Sequence, residues 1–586
     1  MPPAVRRLLL LGAAGMAIPA LAQIQNSAAP PPAPTAASPQ RSPAPAQPAP
    51  VQTEALSETD TNAVVESAIP YQPPPPPVEY PRQARRNPFI AGALDPVQIG
   101  LGADPWGQAN GAFLSALMRR MDTPIASRWA HIGLRNALLA SARAPRGVNP
   151  VDWAAERAWL LLRLGEADAA RMLIATVDTD RFTPKMTQVA LQSALANSDP
   201  LGLCPLGDGI RKVEPRVLPL VQPICSGLNG EPESASAQIE SARRRGPIGG
   251  IDLALAQKVV GATTDSGTAV TIEWEPVDTL TSWRYGLATA TGMSPPKRLL
   301  DSASPQLRAW YARSPLIPFQ DRLDSARIAA GLGVFSSQSL IDFYSAIYDS
   351  TDPNDLGGTD AWQLRLAFAA TDREARLAAM RKLWSRSDDR LQHEAARALL
   401  ATAAARIDPD PKLAGDSVEL IASMLAAGLD RQAARWANAV RQMDNDPGDR
   451  AWAMLALAAP DSAAVDLSVG RVNAFIGRDR SAGRKRSAFL VAGLAALGRL
   501  DVGAASRLNS RYRLNINRVS AWTQMLDAAA RRKQPASVLV LAGTGLQSAE
   551  FGGVPSAHLF HLVMALHNSG QDYLARMIAA EALART

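Results

Sequence analysis

Leu161–Leu173 reads LLRLGEADAARML, and its reading decides the fold. Apolar residues lead up to Leu164 at helical spacing, Gly165 interrupts them, and an alanine-rich helical pattern resumes from Ala167. Glycine enters the left-handed region without Cβ strain, so Gly165 is expected to end one helix and start an antiparallel turn. Ala170 then lets the second helix lie close against the first. The phrase returns four times: CSGLNGEPESASAQI at Cys225–Ile239, MLAAGLDRQAARWA at Met424–Ala437, GLAALGRLDVGAASRL at Gly493–Leu508 and MALHNSGQDYLARMI at Met564–Ile578. Gly230, Gly428, Gly498 and Gly570 take the place of Gly165, and Ala235, Ala433, Ala505 and Ala575 that of Ala170.

Upstream, Trp153–Leu162 carries Ala155, Trp159 and Leu162 on one helix face. Asn149-Pro150, Thr183-Pro184, Ser304-Pro305 and Thr123-Pro124 pair a capping residue with a proline at the first helical position, where no hydrogen bond is lost. Val270, Ile272 and Trp274 form the one strand-like alternation, which an irregular loop explains as well. Trp159, Leu164-Gly165 and Ala170 resemble the signature of degenerate tetratricopeptide-type repeats. That resemblance implies a right-handed α-solenoid of stacked antiparallel helix pairs and a scaffold role, and it carries no catalytic residues. The expected fold is therefore all-α over residues 89–586, with a break near 260–300. A single helix pair cannot bury its apolar face alone, so neighbours must stack.

The N-terminus addresses the chain. Arg6 and Arg7 precede the apolar run Leu8–Ile18, and Ala20-Leu21-Ala22 supplies a small-x-small cleavage pattern, with scission expected between Ala22 and Gln23. Residues 1–22 thus read as a signal peptide of bacterial style, too short for comfortable spanning at about 20 residues. Export to the periplasm is expected, with inner-membrane anchoring if the signal stays uncleaved. Residues 23–88 are rich in Pro and Ala, including Pro73–Pro77, and are expected to form a disordered linker. No later run is long and apolar enough to span a membrane, so no transmembrane segment is expected in the mature chain.

Of the 586 residues, 47% are hydrophobic and only 5% aromatic, which disfavours both wholesale disorder and a large β architecture. Lys+Arg outnumber Asp+Glu by 61 to 54, a mild excess that does not call for a nucleic-acid partner. Cys204 and Cys225 are the two cysteines of an exported chain, and a disulfide between them is the natural inference. They lack the C-x-x-C spacing of a redox pair.

Chemistry-bearing motifs are scarce. His558 and His561 lie one turn apart with Glu550 and Asp572 nearby, but no zinc pattern is completed, so no metal or cofactor is expected. Asp444–Asp449 begins like a calcium loop, yet Leu455 stands where a bidentate Glu belongs. No G-x-S-x-G, P-loop or G-x-G-x-x-G after a strand occurs. Trp274, Trp283, Tyr285, Trp310 and Tyr311 cluster in the middle; helix-spaced rings usually belong to a core, and the functional alternative is a partner-binding aromatic surface. The expectation is a non-catalytic scaffold that binds a protein or polysaccharide partner in the envelope. An enzyme acting on envelope polysaccharide or peptidoglycan, and a structural component of polysaccharide secretion, are the alternatives.

Overall fold

Side-chain caps start some of the helices, Ser127 and Asn149 among the caps, and left-handed glycines end others. The computed structural model describes residues 81–122, 124–264 and 270–586. The signal segment with its Ala22/Gln23 cleavage point, residues 23–80 of the linker, and Thr123 lie outside the described residues. Arg86–Thr586 belongs to one compact unit; of a second, Leu21–Arg85, only Pro81–Arg85 is described, with a 3-10 turn at Arg82–Ala84.

The helices that position the site are Gly111–Arg119 (α1), Arg128–Leu139 (α2), Pro150–Arg163 (α3), Ala167–Ile174 (α4), Pro184–Ala196 (α5), Leu218–Leu228 (α6) and Pro232–Arg245 (α7). Further on come Phe319–Leu332 (α8), Arg390–Ala404 (α9), Ala414–Ala426 (α10), Asp446–Ala458 (α11), Lys485–Ala496 (α12) and Val502–Tyr512 (α13). Ala521–Arg531 (α14), Pro535–Gly545 (α15), Ser556–Asn568 (α16) and Asp572–Ala584 (α17) complete the set. No strand occurs among the described residues, only isolated bridges pairing Leu94 with Ala140 and Asn110 with Arg146. Val270, Ile272 and Trp274 lie in an irregular stretch, and Val270–Thr281 carries no helix.

All five repeated turns form as the sequence predicts. Gly165, Gly230, Gly428, Gly498 and Gly570 have φ of 86°, 80°, 78°, 67° and 89°. Each is followed by a backbone N–H that reaches back five residues, as from Glu166 to Leu161 O at 2.9 Å and from Gln571 to Leu566 O at 2.8 Å. These bonds satisfy carbonyls that a helix end otherwise leaves unpaired. Ala170, Ala235, Ala433, Ala505 and Ala575 are all buried.

Asn149 accepts from the N–H groups of Val151 and Asp152 at the start of α3, and Thr183 from Met186 at the start of α5. Ser304 makes no side-chain cap, although Pro305 does open a helix. Pro124 is not helical; α2 starts later, capped by Ser127. Cys204, in a 3-10 stretch, is bonded to Cys225 in α6 with Cα atoms 5.5 Å apart.

Helices close in sequence stack in places, α3 on α4 and α5, α6 on α7 and α9 on α10, while α8 packs on α9 and α10 on α11 across other helices that lie between them in the chain. The C-terminal helix α17 does more. It packs on its hairpin mate α16, on α10, α11 and α12, and on α2 near the start of the described chain. Helix α15 likewise packs on α1 and α2. Such contacts go beyond the neighbour-only stacking that a solenoid implies. A further hydrophobic cluster lies in the middle region, built from Val277, Leu280, Tyr285, Leu299, Leu307, Tyr311 and Ile317.

Candidate functional site

Helix α2 begins with Ser127, whose hydroxyl accepts from the N–H of Ala130 at 2.9 Å. Three donors of this helix start converge on Glu581 of α17: Arg128 N–H at 2.7 Å, Trp129 N–H at 3.2 Å, and the Ser127 hydroxyl. A carboxylate there meets exposed N–H groups and the positive end of the helix dipole. From the same turn the Arg128 side chain reaches the opposite kind of helix end. Nε donates to Ala330 O at 2.8 Å, Nη2 to Phe335 O at 3.1 Å, and Nη1 to Ala426 O. Trp129 Nε1 adds a bond to Leu425 O at 3.0 Å. Arg128 and Trp129 therefore serve the C-terminal ends of α8 and α10, where carbonyls lack helical partners and a cation is favoured.

The site extends through α9 and α10. Glu394, only 5% exposed, accepts from Arg397 at 2.8 Å and lies 3.7 Å from Arg585 Nε. Arg397 also grips Glu419 with a two-pronged contact of 2.9 and 2.7 Å, and His393 lies 3.5 Å from that carboxylate. Arg585 in turn bonds Glu581. Arg128, Arg397 and Arg585 thus face Glu394, Glu419 and Glu581. All of these except Glu419 line a cavity of about 20 Å³, room for about one water, together with Met577, Ala580 and Ala584. Arg585 Nη2 is buried there with no hydrogen-bond partner among the described residues.

Burial draws the Arg128 guanidinium down to about 10, against the pull of Glu581 and Glu394. Burial alone would raise the carboxyl of Glu394, but Arg397 and Arg585 outweigh it and hold the group below the usual carboxylate range. Glu419 is likewise held far down by Arg397 and His393 against its burial. Both are ionised at neutral pH, so neither can serve as a proton-donating general acid, which needs a raised pKa. Next to this centre, buried His131 lies 3.3 Å from Glu166, which Arg135 approaches at 3.2 Å. Desolvation pushes the imidazole down, keeping it neutral.

Capping by buried and half-buried arginines recurs elsewhere. Arg157, fully buried, donates to Leu138 O at 3.1 Å and Ala140 O at 3.0 Å at the end of α2, and also to Ala91 O. Arg163 reaches Met121 O at 2.6 Å just past α1, and Arg499 reaches Ala456 O at 2.8 Å and Ala459 O at 2.6 Å at the end of α11. The planar fork of arginine can serve several carbonyls at once, which a lysine ammonium does poorly.

The residues singled out from sequence lie apart from this centre. Tyr285 and Tyr311 are core residues, with hydroxyls bonded to Ser314 at 2.9 Å and Ser294 at 3.0 Å. Trp274, Trp283 and Trp310 are half-buried, and Trp283 Nε1 donates to Asp252 O at 3.2 Å. His561 bonds Asp527 at 3.0 Å, His558 packs on Trp522, and no metal-ligand cluster forms among the described residues. Asn445 in the calcium-like stretch caps α11 instead. The arginine–glutamate centre itself went unnoticed in the sequence, because its members are spread from residue 128 to 585 without local spacing. No family model matches the chain, and no curated protein or solved structure shows significant similarity to it.

Proposed function

We propose that this chain is an exported, non-catalytic helical scaffold, periplasmic in a bacterial envelope, that binds a protein or polysaccharide partner on stacked helix pairs. The finer reading of those pairs is a right-handed solenoid stack with α17 tying its parts together. The observation that carries the proposal is the recurrence of one hairpin turn five times, each with a left-handed glycine and a buried alanine behind it. Repeated pairs of this kind build extended surfaces suited to partners. The buried charged centre supports the non-catalytic part: its Glu394 and Glu419 are ion-paired and ionised, and among the described residues every carboxylate with a displaced pKa, Glu166 and Asp449 among them, is displaced downward. Among the described residues no helix is long and apolar enough to cross a membrane.

Cell fractionation tests the compartment, with the chain expected in the periplasmic fraction. Incubation with purified peptidoglycan and with envelope polysaccharide tests the role. Co-sedimentation with a polymer, or in-cell cross-linking to one envelope protein, without release of soluble fragments, is the expected result. Time-dependent release of fragments would replace the scaffold by an enzyme.

A further inference from the structure

The positive charge of this chain is not spread along it. Residues 471–533 contain 14 Lys+Arg against 3 Asp+Glu, a net of +11, while the whole chain is +7, so the remainder is −4. Part of this charge is spent inside the fold. Arg471 and Arg478 pair with Asp449 at 2.8 and 2.6 Å, Arg499 serves carbonyls of α11, and Lys485 and Lys533 bond Val554 O and Asn568 O. Arg480, Arg484, Arg507, Arg511, Arg513, Arg518, Arg531 and Arg532 are exposed. Arg484, ahead of α12, and Arg511, near the end of α13, both lie over the Tyr512 ring, at 5.4 and 5.3 Å from its centre, which brings two of the basic segments together. Among the described residues Arg480, Arg507, Arg513 and Arg518 make no ion pair.

Exposed apolar side chains stand in the same stretch: Val502 is 80% exposed, Val519 59% and Met525 38%. The rings are committed elsewhere. Phe475 and Phe489 are buried, the Tyr512 hydroxyl bonds Asn473 at 2.7 Å, and Trp522 donates to Leu541 O while packing on His558. Sugars and single-stranded nucleic acids draw on open aromatic faces for stacking, which this stretch does not offer. Guanidinium forks interspersed with exposed aliphatic side chains match instead the phosphates and the shallow apolar layer of a bilayer surface.

We infer that the region from Arg480 to Arg532 is a peripheral docking surface for an anionic phospholipid bilayer. This goes beyond the scaffold reading and does not depend on which envelope partner the helix pairs hold. The surface acts by charge, so each arginine removed weakens binding about fivefold, and raised salt weakens it throughout.

The test is co-sedimentation of the full chain with vesicles of phosphatidylcholine containing 30% phosphatidylglycerol, beside vesicles of phosphatidylcholine alone. The variant Arg480→Gln/Arg507→Gln/Arg513→Gln/Arg518→Gln removes four unpaired charges. The quartet Arg143→Gln/Arg146→Gln/Arg211→Gln/Arg244→Gln removes as many exposed charges elsewhere, and circular dichroism checks the fold of both. The expected result is preference for the anionic vesicles, a drop of at least about a hundredfold in the first variant and little change in the second. Equal binding by wild type and the first variant, or equal binding to both vesicle types, overturns the proposal. So does a first variant that loses binding to the acidic polysaccharide alginate while keeping its binding to vesicles, since the surface would then read a polymer.

Discussion

The backbone N–H of Arg128 donates to the Glu581 carboxylate at 2.7 Å across 453 residues of sequence. The start of α2 is thus capped by a side chain from the last helix of the chain. The Arg128 side chain meanwhile caps the ends of α8 and α10. One turn of helix ties together elements whose hydrogen-bonding needs are complementary: unpaired N–H groups on one side, unpaired carbonyls on the other.

Replacing Arg128 with methionine keeps the bulk and removes the donors. Ala330, Phe335 and Ala426 then lose a buried partner, and Glu581 loses a nearby cation. The expected loss is about 3–5 kcal/mol, read from urea unfolding. Arg128→Lys recovers less than half of it, because one ammonium cannot reach carbonyls on two helix ends with the geometry of a fork.

The glycine turns separate two costs. Gly230→Ala places a Cβ in open space, so the loss is the left-handed strain alone, about 1 kcal/mol. Gly165→Ala adds a Cβ that would sit 2.9 Å from the Ala309 Cβ, and costs roughly 1–3 kcal/mol more through overpacking. Thermal unfolding of the two variants side by side gives the difference.

Removing the bond between Cys204 and Cys225 opens a loop with a sequence separation of 21. By loop entropy this costs about 3 kcal/mol of local stability. Hydrogen exchange in α6 and in the preceding 3-10 stretch is expected to speed up in the double Ser variant, while α10 and α11 stay unchanged.

Stability is expected to fall on acidification in two stages. His131 has a folded pKa below its ordinary 6.5, so the unfolded chain binds the proton first, and stability declines as pH drops below about 6.5. Glu166 and Arg135 face this ring, and Arg128 adds its charge from the same helix. Glu394 and Glu419 are depressed below their ordinary 4.5, so the stability of their ion pairs is lost as pH falls from about 4.5 through their folded values. Urea midpoints between pH 8 and 2 check both stages, and His131→Gln is expected to remove the first.

What was legible in the sequence was local. A left-handed glycine, a cap such as Asn149 and a small residue such as Ala170 act within a few positions of themselves, and pattern alone places them. Thr123-Pro124 carries the same start signal as Asn149-Pro150, yet Pro124 stays outside a helix and Ser127 caps α2 instead, where Glu581 is at hand. Arg128, Glu394, Arg397 and Glu581 meet only after distant helices pack, so no spacing announces them. Arg128, Arg157 and Arg499 cap carbonyls that are distant in the chain or past a helix end, which no local pattern marks. The aromatic middle is half legible: Tyr285 and Tyr311 are core, as helical spacing favours.

Hydrogen exchange of a Glu581→Ala variant, resolved by mass spectrometry, bears most directly on how the fold is held together. If the last helix caps the start of α2, exchange in Arg128–Leu139 speeds up alongside that in Asp572–Ala584. Faster exchange confined to α16 and α17, with Arg128–Leu139 as protected as in the wild type, would contradict it.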